Sequence, residues 1–325
     1  MNNIQRTFLG CIFVATAGGC STYVTSTEGI DFNRSVKIVA DNLRDSLAEV
    51  QSLEVANSVD TFAKGNQRTL EHLAVDPKLS DSTVKVITGQ FDFLVCYSEA
   101  LKDATSPGAS WGNSVSSVNS AESKLMGDTQ AFDNKLTGKT VITDTNVQTF
   151  DTDADRVAKA VSSIGEAALT LYGEEKASKI AAAVNPDLQK YFVDLESLLT
   201  SDPDSKTPST GLAGILVADY EERIATVKYL ATTAAPPSGP DDPNYFTLVQ
   251  QRSAILDQYM ALLDREKNGL AKVLALRKAV VEIASAHEAL SRKDDTTFKE
   301  KISNSEELVR SITKSGTTSE DASSK

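Results

Sequence analysis

Histidine is nearly missing from this sequence: His72 and His287 are the only two in 325 residues. Cysteine occurs three times, at Cys11, Cys20 and Cys96, and tryptophan once, at Trp111. These shortages exclude chemistry before any motif is sought. A zinc site needs three or four converging ligands, and no His-x-x-x-His pair or cysteine cluster is present. Neither a Gly-x-Ser-x-Gly elbow nor a phosphate-binding glycine loop occurs. No apolar run beyond the first twenty residues approaches the roughly 18 residues of a membrane-spanning helix, so a pore-forming function ranks last. Basic charge is also short, with 33 Lys and Arg against 45 Asp and Glu and a formal net charge of −12. Nucleic-acid recognition wants a basic patch, and an anionic lipid surface repels an acidic one. No nucleic-acid partner, metal or cofactor is therefore expected.

The first twenty residues have a different character. Arg6 is their only charged side chain, Phe8 to Ala15 is apolar, and Thr16 to Gly19 are small. That is the layout of a secretory signal, too short for the roughly 20 residues of a permanent span. Ala17-Gly18-Gly19-Cys20 resembles the lipobox of bacterial lipoproteins, with Ala17 where Leu is commoner. Small residues let a protease reach the bond before Cys20, and the thiol is the nucleophile that accepts a diacylglyceryl group. The resemblance covers residues 1–25 and defines a processing class, not a fold. It implies a signal peptide over 1–19 and a mature chain beginning at Cys20, which carries a thioether lipid and an acylated amine (palmitate and its like). Ser21 stands where Asp would favour the inner membrane, a pattern similar to outer-membrane sorting with the protein facing the periplasm. Several acyl chains hold firmly, because each buried methylene adds about 0.8 kcal/mol and one chain alone is marginal.

The remaining chain has the composition of a globular protein, 40% hydrophobic and 24% charged. Residues 20–30 read as a lipidated tether, 31–314 as an α-helical bundle domain and 315–325 as a disordered tail without large apolar residues. Phe32, Val36, Val39, Leu43, Leu47 and Val50 recur at steps of three and four, one face of a helix. A second helix, capped by Ser80, Asp81 or Ser82, carries Val84, Ile87, Phe91, Leu94 and Leu101. Further helices are expected over 114–136, 153–172 and 212–230, with Asn185-Pro186 breaking another and Asp187 restarting it. Asn244 to Arg292 is the longest pattern. In it Val249, Leu256, Leu263 and Leu270 repeat every seven residues, and Phe246, Met260, Leu274 and Val281 do so with polar gaps at Ser253 and Lys267. That heptad predicts a bundle helix or an antiparallel coiled coil. The fold class is mostly α, an elongated bundle of long antiparallel helices, with short strands near 139–150 as the one alternative.

Candidate site residues are few. His287 falls in register with Val280, Ile283 and Leu290 and is expected to pack; His72 sits on a polar segment and is expected at the surface. Asp151-Thr-Asp-Ala-Asp155 resembles half a calcium loop, but Arg156 and Ser162 stand where an EF-hand needs Gly and Glu. An acidic N-terminal cap favoured by the helix dipole is the expectation there. Cys96 has no intramolecular partner and no adjacent cation, so it reads as a small apolar residue. Trp111 is expected in a loop anchored on the core. Tyr97, Tyr172, Tyr191, Tyr229 and Tyr259 lie at or beside apolar positions and should pack with their hydroxyls at the rim. Glu174-Glu175 and Glu221-Glu222 are adjacent pairs that diverge on a helix. The sequence thus points to a lipid-anchored envelope protein that acts as a structural or partner-binding module through an envelope protein not identifiable from it. A cell-wall or small-molecule hydrolase or binding protein with converging carboxylates is the alternative, and it requires a deep acidic pocket.

Overall fold

The computed structural model describes residues 27–64, 79–106, 111–130, 144–164, 173–233, 239 and 243–317. All regular structure among them is α-helical: α1 Thr27–Lys64, α2 Asp81–Thr105, α3 Trp111–Gln130, α4 Asp144–Ser163, α5 Gly173–Leu199, α6 Gly211–Thr233, α7 Tyr245–Ser291 and α8 Asp295–Thr317. The helical bundle expected from periodicity is the observed fold.

Four helices form the central ring, α1 on α2, α2 on α5, α5 on α7 and α7 on α1. Each neighbour runs antiparallel to the last. Asn33 meets Ser98 at one end of the α1–α2 pair, and Glu54 accepts the N–H of Leu79 at the other. Along α5 and α7, Gln189 reaches the carbonyl of Ala284, and Glu196 reaches Arg277. Phe32 lies against His287, and Glu49 binds Lys272, which sets α1 antiparallel to α7. Helices α3 and α4, joined by Thr129–Asp151 and Asn119–Ser162 hydrogen bonds, close a second ring that shares α2 and α5 with the first. On the opposite side α8 covers the His287 end of α1 and α7, and α6 covers their far end.

This sharing decides which residues are buried. Helix α1 needs one apolar stripe, and Phe32, Val36, Val39, Leu43, Leu47 and Val50 are all buried. Full burial of such a side chain stabilises by about 1.5–3 kcal/mol. Helices α2 and α5 belong to both rings and are apolar on more than one side. Val86, Phe93, Tyr97 and Ala100 join the expected stripe of α2, and Ile180, Ala181, Val184, Leu188, Tyr191, Phe192 and Leu195 fill α5. Ser80 caps α2 by accepting the Thr83 N–H at 3.1 Å. Asp294 does the same for α8 through Thr297, after a turn in which Lys293 has φ 58°.

Several expectations are corrected. Residues 144–150 belong to α4 rather than to a strand, while 139–143 lie outside the described residues. Asp151, Asp153 and Asp155 consequently sit in the body of α4, not at its N-terminus. Helix α5 runs straight through Pro186. The proline removes one backbone hydrogen bond, but buried Ala181, Val184, Leu188 and Tyr191 on either side hold the helix to its neighbours. The span assigned to the tether ends early, since α1 begins at Thr27, and α8 extends to Thr317 into the expected tail. Trp111 is the first residue of α3 and is buried, not a loop residue.

The heptad of α7 is corrected too. Its buried stripe is Leu262, Gly269, Val273, Leu276, Val280, Ile283, His287 and Leu290. The stripe read from the sequence, through Val249, Leu256, Leu263 and Leu270, lies alongside it and is only partly covered. One helix therefore carries two adjoining heptad stripes.

Candidate functional site

A chain of buried hydrogen bonds surrounds His287, which is fully buried among α1, α2, α5 and α7. Its Nε2 lies 2.7 Å from the Tyr97 hydroxyl and its Nδ1 2.8 Å from Asn185 Oδ1. An amide oxygen only accepts, so Nδ1 carries the proton and donates, and Tyr97 donates to Nε2. Asn185 Oδ1 also accepts from Gln189 Nε2 at 3.1 Å, and that nitrogen donates again to the Ala284 carbonyl at 2.9 Å. Phe32 and Tyr97 flank the imidazole with ring centroids 5.6 Å away. Burial pushes His287 down to about 3 and the Tyr97 phenol well up, so both stay neutral at physiological pH. Every donor and acceptor of the imidazole is used within the protein, and the ring has no face toward solvent. The group ties α2, α5 and α7 together by hydrogen bonds, with Phe32 of α1 against the ring.

A second polar group lies between α2, α3, α4 and α5. The Tyr191 hydroxyl donates to Gln90 Oε1 at 2.6 Å, and Thr129 donates to Asp151 at 2.7 Å. Burial raises Asp151, and burial followed by the charge of Asp153 lifts Asp194 to about 6. Asp153 pairs with Arg156 at 3.1 Å, and Asp155 with Lys159 at 2.6 Å. The acidic run of α4 thus divides between interior bonds and surface ion pairs. Among the described residues no group of three or more His, Cys, Asp or Glu converges as a metal would require.

The remaining candidates separate. Cys20 and His72 lie outside the described residues, as do Tyr172 and the side chain of Glu174. Cys96 is half-buried, and burial, Glu99 and Asp92 push its thiol up, away from the reactive thiolate. The indole N–H of Trp111 has no hydrogen-bond partner among the described residues. Glu221 and Glu222 are exposed on α6. Tyr97 and Tyr191 pack in the interior as expected, but their hydroxyls are buried against His287 and Gln90 rather than at the rim, and Tyr259 lies under the Lys228 ammonium, 5.7 Å from the ring centre. Tyr229 departs from the expectation and is 60% exposed. A shallow trough of about 600 Å³ along the outer face of α3 is lined by Gly112, Val115, Ser116, Asn119, Ser120 and Ser123, without a carboxylate and without Trp111. It is not the deep acidic pocket a hydrolase of the expected kind requires.

Two features escape the sequence. Asn185 precedes a proline and signals a helix end by that neighbour, whereas its side chain serves His287. The distal part of α7, from Tyr245 to Ala261, contains no buried residue, although the heptad places its apolar residues in a bundle interior. The polar gap at Ser253 is the available sign that this stripe is not core. Compared with family models, curated proteins and solved structures, the chain has no match in any of the three. Among the described residues, no helix is long and apolar enough to cross a membrane.

Proposed function

We propose that this chain is a lipid-anchored envelope protein whose helical domain is a structural or partner-binding scaffold held at a membrane by acylated Cys20. The observation that carries the reading is Ala17-Gly18-Gly19-Cys20 behind a short apolar segment. Six residues separate Cys20 from the start of α1 at Thr27, a reach of about 20 Å when extended. An anchor there keeps the Phe32–His287 end of the bundle near the lipid. Helix α7 runs away from that end, and Tyr245 lies about 60 Å along it from His287 at 1.5 Å per residue. A lipid at Cys20 and partners at the far end of α7 would not compete for space. With Ser21 after the cysteine, outer-membrane sorting toward the periplasm is the favoured location.

Metabolic labelling with a palmitate analogue tests the reading. The wild-type chain should take the label and fractionate with membranes, and Cys20→Ala should do neither. Equal labelling of both overturns it.

A further inference from the structure

The exposed part of α7 carries a coiled-coil seam that no described helix covers, and we infer that a second copy of this chain occupies it, with the two α7 helices parallel. Phe246, Val249, Ser253, Leu256 and Met260 follow the 3-4-3-4 spacing of a and d positions. Phe246 is 79% exposed, Leu256 and Met260 57% each, and Val249 40%. Four large apolar side chains in one row, interrupted only by Ser253, exceed the singly scattered apolar residues of an ordinary monomer surface.

The row has a clear origin in the fold. Farther along α7 the same stripe includes Arg277 and Ala284, and α5 covers it there through Glu196, Thr200 and Gln189. Helix α5 stops at Leu199, and the stripe continues past its end for several turns. Helix α6 does not take over, because it packs on the adjoining stripe, where Leu262 is buried, Lys228 covers Tyr259 and Gly269 meets Leu216. A second α7 laid on the row extends the line that α5 leaves.

Charge selects both the occupant and its direction. In a parallel pair each g residue faces the e residue five positions on in its partner. Arg252 at g then faces Asp257 at e, and Tyr259 at g faces Asp264 at e, each contact occurring twice by the twofold axis. A guanidinium has five N–H donors, so Arg252 can take the partner's carboxylate in addition to a bond within its own chain. In an antiparallel pair e faces e and g faces g, so Gln250, Asp257 and Asp264 meet one another with no cation among them, and Arg252 finds a carboxylate only at Glu266, the g residue that lies beside Glu221 of α6. Ser253 at a is the small polar layer, which would stack on its own copy in the parallel register. The inference stands on α7 alone and does not depend on the anchor.

The test uses the full chain in intact producing cells, treated with a short bismaleimide, with the parent chain as background. Ser253→Cys places two thiols across the axis of a parallel pair and should give a band of twice the chain mass at least tenfold above the parent. Gln251→Cys, on the outer side of α7, should stay at background. Adding Leu256→Glu to Ser253→Cys should cut the band at least fivefold. Leu256 is exposed, so the helical circular dichroism spectrum of that variant should match the parent, while its melting midpoint should lose the rise with protein concentration that pairing gives the parent. Equal bands from Ser253→Cys and Gln251→Cys, no band from Ser253→Cys, or a cross-linked species of another mass each overturns the proposal.

Discussion

His287 Nε2 and the hydroxyl of Tyr97 meet 2.7 Å apart across the centre of the bundle, 190 positions apart in the chain. Removing the hydroxyl leaves a fully buried nitrogen without its donor. Tyr97→Phe should therefore cost about 1–3 kcal/mol in urea unfolding, the desolvation penalty of an orphaned buried acceptor. A cost below the error of the measurement would mean that the bond contributes nothing net.

The same imidazole sets a pH dependence. Burial holds it at about 3 in the folded protein, against about 6.5 when unfolded. Between those values the unfolded chain binds the extra proton, so stability is full above about 6.5 and falls as pH drops. From pH 7 to pH 5 the loss from this group is about 2 kcal/mol. His287→Gln should flatten the slope whatever its baseline cost. The comparison belongs in an Asp194→Asn background, because that carboxyl titrates in the same window.

Asp194 acts with the opposite sign. Its folded value near 6 lies above the ordinary carboxyl range through burial and then Asp153. The folded state keeps the proton that the unfolded chain releases, so stability falls as pH rises from about 4 to about 6. Asp194→Asn should stabilise at pH 7 by about 1 kcal/mol, a figure reduced because the carboxyl is half in contact with water. At pH 4 the variant and the wild type should melt together. A variant that is less stable at both values would show that the carboxylate makes a bond the amide cannot.

What the sequence disclosed follows from how each helix is used. Helix α1 lies on the bundle by one face, so its six-residue stripe was legible from Phe32 to Val50. Helix α7 was legible in its limits but not in its rotation, because two heptad rows adjoin on it and both are apolar. Local rules failed where tertiary contacts outweigh them. Pro186 ends a helix in isolation but not one buried on both sides, and Asp151 looks like a cap only if the helix starts beside it. Pairings such as Tyr97 with His287 were invisible, since nothing in a one-dimensional pattern brings positions so far apart together.

Pro186 offers a direct check of that tertiary override. It stands inside α5 on the exposed side, where its missing N–H and its ring cost the helix up to about 3 kcal/mol relative to Ala. Losing the proline also frees the unfolded chain, which offsets about 0.4–1 kcal/mol. Pro186→Ala should raise stability by about 1–2 kcal/mol while Asn185 keeps its bond to His287. A destabilised variant would show that the proline's geometry is what aims Asn185 at the imidazole.

Two glycines should respond in opposite directions to the same substitution. Gly211 begins α6 with φ 62°, and a Cβ there would sit 2.7 Å from the carbonyl oxygens of Leu198 and Leu199. Left-handed backbone costs an alanine about 1–2 kcal/mol, and the clash is with main chain that cannot rotate away. Gly127 lies on the exposed side of α3, and a Cβ added there meets nothing within 4 Å. Gly127→Ala should therefore stabilise by about 0.8–1 kcal/mol, the ordinary helix preference of alanine. Gly211→Ala should destabilise by about 2–4 kcal/mol, the left-handed penalty plus the displacement of the α5–α6 connection. Thermal melts of the two variants beside the wild type decide it, since equal shifts would place neither glycine under a conformational requirement.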